Sequence, residues 1–255
     1  MVAGNTFAYE STVANEISGL GIDQFDAASD FGGAGRLRSL VVMDALTKYP
    51  DSPTATVLGA NNTLSVLGQE AGHRWLAFLR FRDANNVTSS ALLGRDQAHW
   101  SFFMDSDASV MEGNDIEDLG GGTFKTTDAV RRYSLLDQYA MGLVSASQVP
   151  NFFYVESPVN VQPSRQADDE PEIGVTFNGT RRDVSIQDVI DVMGARSPSA
   201  SNSSKVLRQA FIYAVSAGAS VDSGQVSKMD AIRRAWVTFF SQATSGRMRA
   251  DTSLD

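Results

Sequence analysis

The run VLGQEAGHRWLAF, residues 66–78, holds Gln69, Glu70 and His73 at a spacing that could do metal chemistry. On a helix, side chains four residues apart share a face, so positions 69 and 73 point the same way. The zinc-hydrolase signature H-E-x-x-H uses that spacing for two imidazole ligands. The glutamate between them reaches a metal-bound water and acts as general base. Here Gln69 stands where the first His would be. Its amide oxygen is neutral and a weaker zinc ligand than imidazole, and it gains no basicity by losing a proton. Gly72 would let another segment approach the helix closely.

A catalytic zinc needs three protein ligands and one open position. The chain has two His and no Cys, so any imidazole beyond His73 must be His99. The two are 99 − 73 = 26 residues apart, too far for one helix, and a loop must fold back to bring them together. The plain alternative is that His73 is a satisfied core histidine and His99 begins a buried aromatic strand.

The order of features resembles a family. A Q-E-x-G-H helix is followed by a long insertion, then His99-Trp100, then Met111 after an acidic stretch, then a helix opening Tyr133-Ser134-x-Leu136. This is similar to the leishmanolysin-like branch of the metzincin zinc metallopeptidases, over roughly residues 36–144. The resemblance implies that His73 and His99 are zinc ligands with Gln69 in the first ligand's place. It also implies that Glu70 is the general base and Met111 the residue of the Met-turn beneath the metal. Asp105 and Asp107, close after His99, are the candidate carboxylates to substitute for the missing ligand. The resemblance further implies a peptide or protein substrate and an extracellular or periplasmic setting.

Three readings of Gln69 stay open: a natural variant that still holds metal, a degenerate relative that keeps the fold to bind peptide without cutting it, or a changed residue in a once-active enzyme.

These residues need elements to position them. NNTLSVLGQEAGHRWLAFLRF, residues 61–81, predicts one long helix capped by Asn61 or Asn62, with Leu64, Leu67, Ala71, Trp75 and Phe78 as its buried stripe. Residues 36–46 suggest a strand or a strand-to-helix segment, and residues 131–144 a helix with Ser134 as N-cap and Gly142 near its end. Residues 172–196 read as a hairpin and a short helix capped by Ser185, and two further helices are expected over 205–217 and 226–244. The expected fold is therefore α+β and metzincin-like: a small N-terminal sheet, a long active-site helix and a mainly helical C-terminal part. The polar stretch PSRQADDEPE suggests a boundary between a core at 1–162 and an α-rich subdomain at 163–255.

Composition narrows the function. With 30 acidic and 21 basic residues and a net charge of −9, the chain is a poor match for nucleic acid. Arg233, Arg234, Arg247 and Arg249 read as a solvated helix face. No apolar run approaches the length of a membrane span, and MVAGNTFAYEST shows no leader pattern. The acidic run from Asp105 to Asp118 departs from the calcium-loop pattern, so calcium is not expected. Trp75, Trp100, Phe102 and Phe103 read as core more than as a substrate pocket.

Overall fold

The computed structural model describes residues 7–33 and 35–254; Met1–Thr6, the start of the stretch read for a leader, lie outside the described residues. Four short strands open the chain: β1 (Tyr9–Thr12), β2 (Ala14–Asn15), β3 (Phe25–Asp26) and β4 (Ser39–Val42). They form two antiparallel ladders, β1 with β4 and β2 with β3. A third ladder, β5 (Thr56–Leu58) with β6 (Asn61–Asn62), leads into helix α1 (Thr63–Gly72).

Helix α1 is half the predicted length. Its start is fixed by Asn62, whose side chain accepts from the Leu64 and Ser65 amides while the Ser65 hydroxyl accepts from the Asn62 amide. Its end follows from burial on all sides. Trp75, Leu76, Ala77, Leu79 and Phe81 are all buried, and no single helical stripe could bury that many consecutive apolar residues. The chain instead leaves the helix through a tight turn at Gly72–Leu76 and enters the hairpin β7 (Phe81–Arg82) and β8 (Thr88–Ser89).

The middle of the chain builds a closed barrel from β9 (Met104–Asp105), β10 (Asn114–Gly120), β11 (Thr123–Ala129), β12 (Phe152–Gln162) and β13 (Thr176–Val184). The order is β10-β11-β13-β12-β9, closed by β9 against β10. Strand β12 shows why this was hard to read. Its first four residues are all buried, but alternate side chains serve different cores. Phe153 and Val155 fill the barrel with Phe102, Phe124 and Phe177, whereas Phe152 and Tyr154 face the main core.

Between β11 and β12 lies α2 (Leu135–Ala140), capped by Ser134 with Asp137 completing the reciprocal pair, and ended by Gly142 at φ 75°. After the barrel come α3 (Ile186–Met193), capped by Ser185, then β14 (Val206–Arg208), α4 (Ser223–Ala243) and β15 (Arg249–Asp251). Helix α4 buries Ile232, Trp236, Phe240 and Ala243, spaced as one helical stripe, and its Phe239 ring packs against Gly68 of α1.

The expected fold class is overturned. The molecule is mostly β, with about 28% strand against 22% helix, four α-helices among the described residues, and a closed five-stranded barrel in place of a long helix and a mainly helical C-terminal part. The helix expected over 205–217 is instead β14, which pairs in parallel with β15, followed by irregular backbone. Pairing satisfies the backbone of Val206–Arg208 at a site where β-branched and bulky residues pack well. Trp75, Trp100, Phe102 and Phe103 are all buried in the two cores. No helix of the described residues is long and apolar enough to cross a membrane.

Candidate functional site

Helix α1 presents Gln69 and His73 on one face, one turn apart. His99 reaches them from a tight turn at Arg95–Gln97, where Asp96 and Gln97 take left-handed backbone angles of 58° and 53°. The neighbour of His99 anchors the loop. Trp100 is fully buried, its amide donates to the Met111 carbonyl at 3.1 Å, and its indole N–H donates to Asp137 at 2.9 Å. Asp137 also accepts from the Ser109 hydroxyl at 2.6 Å, which ties α2, the His99 loop and the Met111 loop into one buried network.

Met111 lies directly beneath α1. A side-chain carbon at Gly72 would collide with the Met111 sulfur, so only glycine permits this approach. On the same underside, the Tyr133 hydroxyl donates to the Gly68 carbonyl at 2.6 Å.

The two imidazoles meet at Gln69. The Gln69 amide nitrogen is 3.0 Å from His73 Nε2 and 2.7 Å from His99 Nε2. The rings stand nearly perpendicular with centroids 4.9 Å apart. Each Nδ1 contacts a backbone carbonyl, His73 that of Leu76 at 3.1 Å and His99 that of Arg95 at 2.8 Å. A carbonyl can only accept, so each Nδ1 carries the proton and each Nε2 offers a bare lone pair. The amide has two N–H groups and donates one to each ring. Burial holds both imidazoles neutral: His73, with His99 beside it, and His99, with the Arg95 cation beside it, are each pulled down to about 4.

Carboxylates surround this core. Glu70 is 5% exposed, and burial, then Glu10 and Glu112, push it up to about 8. Sequence reasoning placed Glu112 only in the acidic run read as a solvated loop, and it did not single out Arg95. Glu112 follows Met111 at φ 58° and brings its carboxylate 3.9 Å from His99 Nε2, where it is ion-paired with Arg95. A guanidinium nitrogen of Arg95 is itself 3.2 Å from His99 Nε2. The available signals were the position of Glu112 beside Met111 and of Arg95 four residues before His99. Asp105 and Asp107 lie elsewhere. Asp105 accepts from the Ile116 amide at 3.1 Å, Asp107 faces Arg132 at 3.6 Å, and neither hydrogen-bonds either imidazole.

Among the described residues, no three His, Cys, Asp or Glu side chains form a group that could hold a metal. Gln69 would therefore have to supply the third ligand. Turning its terminal amide over would present the oxygen to the same point. A tetrahedral zinc with bonds of about 2.0–2.1 Å sets its ligand atoms roughly 3.3 Å apart, so the amide would also retreat by about half an ångström. Two neutral imidazoles, each oriented through Nδ1, and one amide oxygen fit a weak metal site. Arg95 opposes it by placing a cation next to one ligand.

No protein-family profile, curated protein or solved structure matches the chain.

Proposed function

We propose that this chain is a metzincin-like metal-dependent hydrolase of peptide bonds with a site weakened by Gln69. Support comes from one observation above the rest: the bare Nε2 atoms of His73 and His99 converge on a single point, 3.0 and 2.7 Å from the same amide nitrogen. His73, His99 and the Gln69 oxygen would hold a zinc ion. Such an ion, when bound, lowers the pKa of water and polarises a peptide carbonyl. The chain's own part is positional. The Leu76 and Arg95 carbonyls keep both rings in the ligating tautomer. Glu70, adjacent to Gln69 and shielded from solvent, is held up at about 8 by burial; a bound cation would favour its ionised form, which would take a proton at its carboxylate and deliver it to the leaving nitrogen. Met111 and Tyr133 fix the height and tilt of α1 from below. Secretion to an extracellular or periplasmic space goes with this reading.

Elemental analysis of the purified protein tests it together with casein hydrolysis. The expected result is zinc bound when supplied in excess, with slow proteolysis abolished by EDTA and by Glu70→Gln. No zinc uptake and no hydrolysis would overturn it.

A second reading has its own observation. The Gln69 amide already satisfies both imidazoles, and Arg95 with Glu112 forms a neutralised pair beside them, which suits a catalytically inactive peptide-binding module. Gln69→His separates the two. If the variant gains zinc and proteolysis that the parent lacks, the inactive reading holds.

A further inference from the structure

Two donors contend for one lone pair at His99. The Gln69 amide nitrogen lies 2.7 Å from Nε2, and Nη2 of Arg95 lies 3.2 Å from the same atom. With its proton on Nδ1, the ring offers a single in-plane lone pair at Nε2, so both donors cannot bond it well. The amide has a second acceptor in His73, at 3.0 Å. Arg95 has Glu112, which it grips as a fork: Nη2 bonds Oε1, and Nε lies 3.3 Å from Oε2. The guanidinium therefore bridges a carboxylate and an imidazole lone pair, as a metal ion shared by the same two groups would.

The two members of this pair differ in their freedom to leave it. The Arg95 side chain is 43% exposed and that of Glu112 only 10%. Arg95 Nη1 also lies 3.5 Å from Asp96, an exposed carboxylate, so the guanidinium can swing outward and keep an anionic partner. Glu112 has no such exit, and a buried carboxylate left without a cation is strongly disfavoured. Its Oε2 is 3.9 Å from His99 Nε2, and among the described residues no other carboxylate forms an ion-pair contact with either imidazole. Ligand atoms on a tetrahedral zinc sit roughly 3.3 Å apart, so Oε2 is about half an ångström from sharing an ion with His99. With the pair closed, no three His, Cys, Asp or Glu side chains among the described residues form a metal-holding group, and Gln69 is left as the third donor.

We propose that Glu112 is the third ligand of this metal site and that Arg95 is a built-in cation that withholds it. When Arg95 swings out to Asp96, Glu112 takes the place of the Gln69 amide and completes a set of two imidazoles and one carboxylate. Catalytic zinc accepts that set and keeps a fourth position for water. The inference rests on the reading that His73 and His99 turn their lone pairs to a metal. It makes loading of that metal conditional on opening the Arg95–Glu112 pair.

Zinc affinity of the full chain, measured by competition with a chromophoric chelator, tests it. Arg95→Gln is expected to raise the affinity about tenfold or more. Glu112→Gln, which keeps the shape and removes the charge, is expected to abolish that gain when combined with Arg95→Gln. Phenylglyoxal labelling of the zinc-loaded parent, read by peptide mass spectrometry, serves if the double variant does not fold. Zinc should speed modification of Arg95 several-fold, because the guanidinium has left Glu112. Unchanged affinity in Arg95→Gln, a gain that survives Glu112→Gln, or labelling that zinc loading leaves unchanged overturns the inference. Zinc uptake by the parent with no gain in Arg95→Gln leaves the hydrolase reading standing and removes this one. Uptake by Arg95→Gln alone does the reverse.

Discussion

Helix α1 carries two faces with opposite polar economies. On the face of Gln69 and His73, the amide N–H groups and both atoms of each imidazole find partners. On the face of Thr63 and Arg74, two buried polar atoms find none, and Gln225 of α4 is in the same state. A saturated network holds its geometry in the absence of any ligand but must give up bonds to accept one. An unsaturated one carries the cost of polar atoms closed off from solvent. The first arrangement therefore resists the ion it resembles a site for, whereas the second gains nothing from an occupant that cannot reach those atoms.

The largest effect should come from desaturating the first face. Gln69→His replaces the double donor with a third imidazole whose lone pair cannot satisfy the other two without a cation. Zinc affinity, measured by competition with a chromophoric chelator, should rise on the order of 100-fold or more. Unchanged affinity would mean that Arg95, not Gln69, sets the weakness.

Gly72→Ala breaks the same face from below. The added methyl pushes Met111, and with it Glu112 and the Trp100 contact that positions His99. A loss of about 1–3 kcal/mol in urea unfolding is expected, together with loss of any zinc binding. Zinc binding equal to the parent's would show that Met111 does not position this face.

Asn62→Ala should weaken both faces together, because it removes the cap from which α1 starts. About 1 kcal/mol is expected from denaturant unfolding.

Asp105 gives the smallest change and serves as a control outside both faces. Burial pushes its carboxyl from 3.8 up to about 6. A raised acid pKa means that its contribution to stability is full below pH 3.8 and is lost as pH rises through about 6. Asp105→Asn keeps an oxygen for the Ile116 amide and cannot ionise. Its melting temperature should exceed the parent's by a few degrees at pH 8, with little gain at pH 4, and zinc binding should not move. A gain that is the same at both pH values would remove the ionisation argument.

Several local elements were legible because their signals are short-range. Asn62, Ser134 and Ser185 each cap a helix through bonds within three residues, and the i, i+4 placement of Gln69 and His73 follows from helix geometry alone. The barrel was not legible. Strand β12 contains Pro158 and two register shifts against β13, and its buried run serves two cores, so the period-two pattern that marks a strand is blurred. The end of α1 was misread for a related reason: a run buried on every side looks like an extension of the helical stripe until the neighbouring layers are known.

The sequence by itself determined an inventory and its local geometry: two imidazoles, one glutamate beside a glutamine on a shared helix, and a glycine one residue before His73. Tertiary structure alone decided that His99 swings onto Gln69 and that Glu112 and Arg95 join it. The reason is one of range. Caps and helical spacing are set by bonds across a few residues, whereas the meeting of His73 with His99 depends on the burial of Trp100 against Asp137, 37 positions further along the chain.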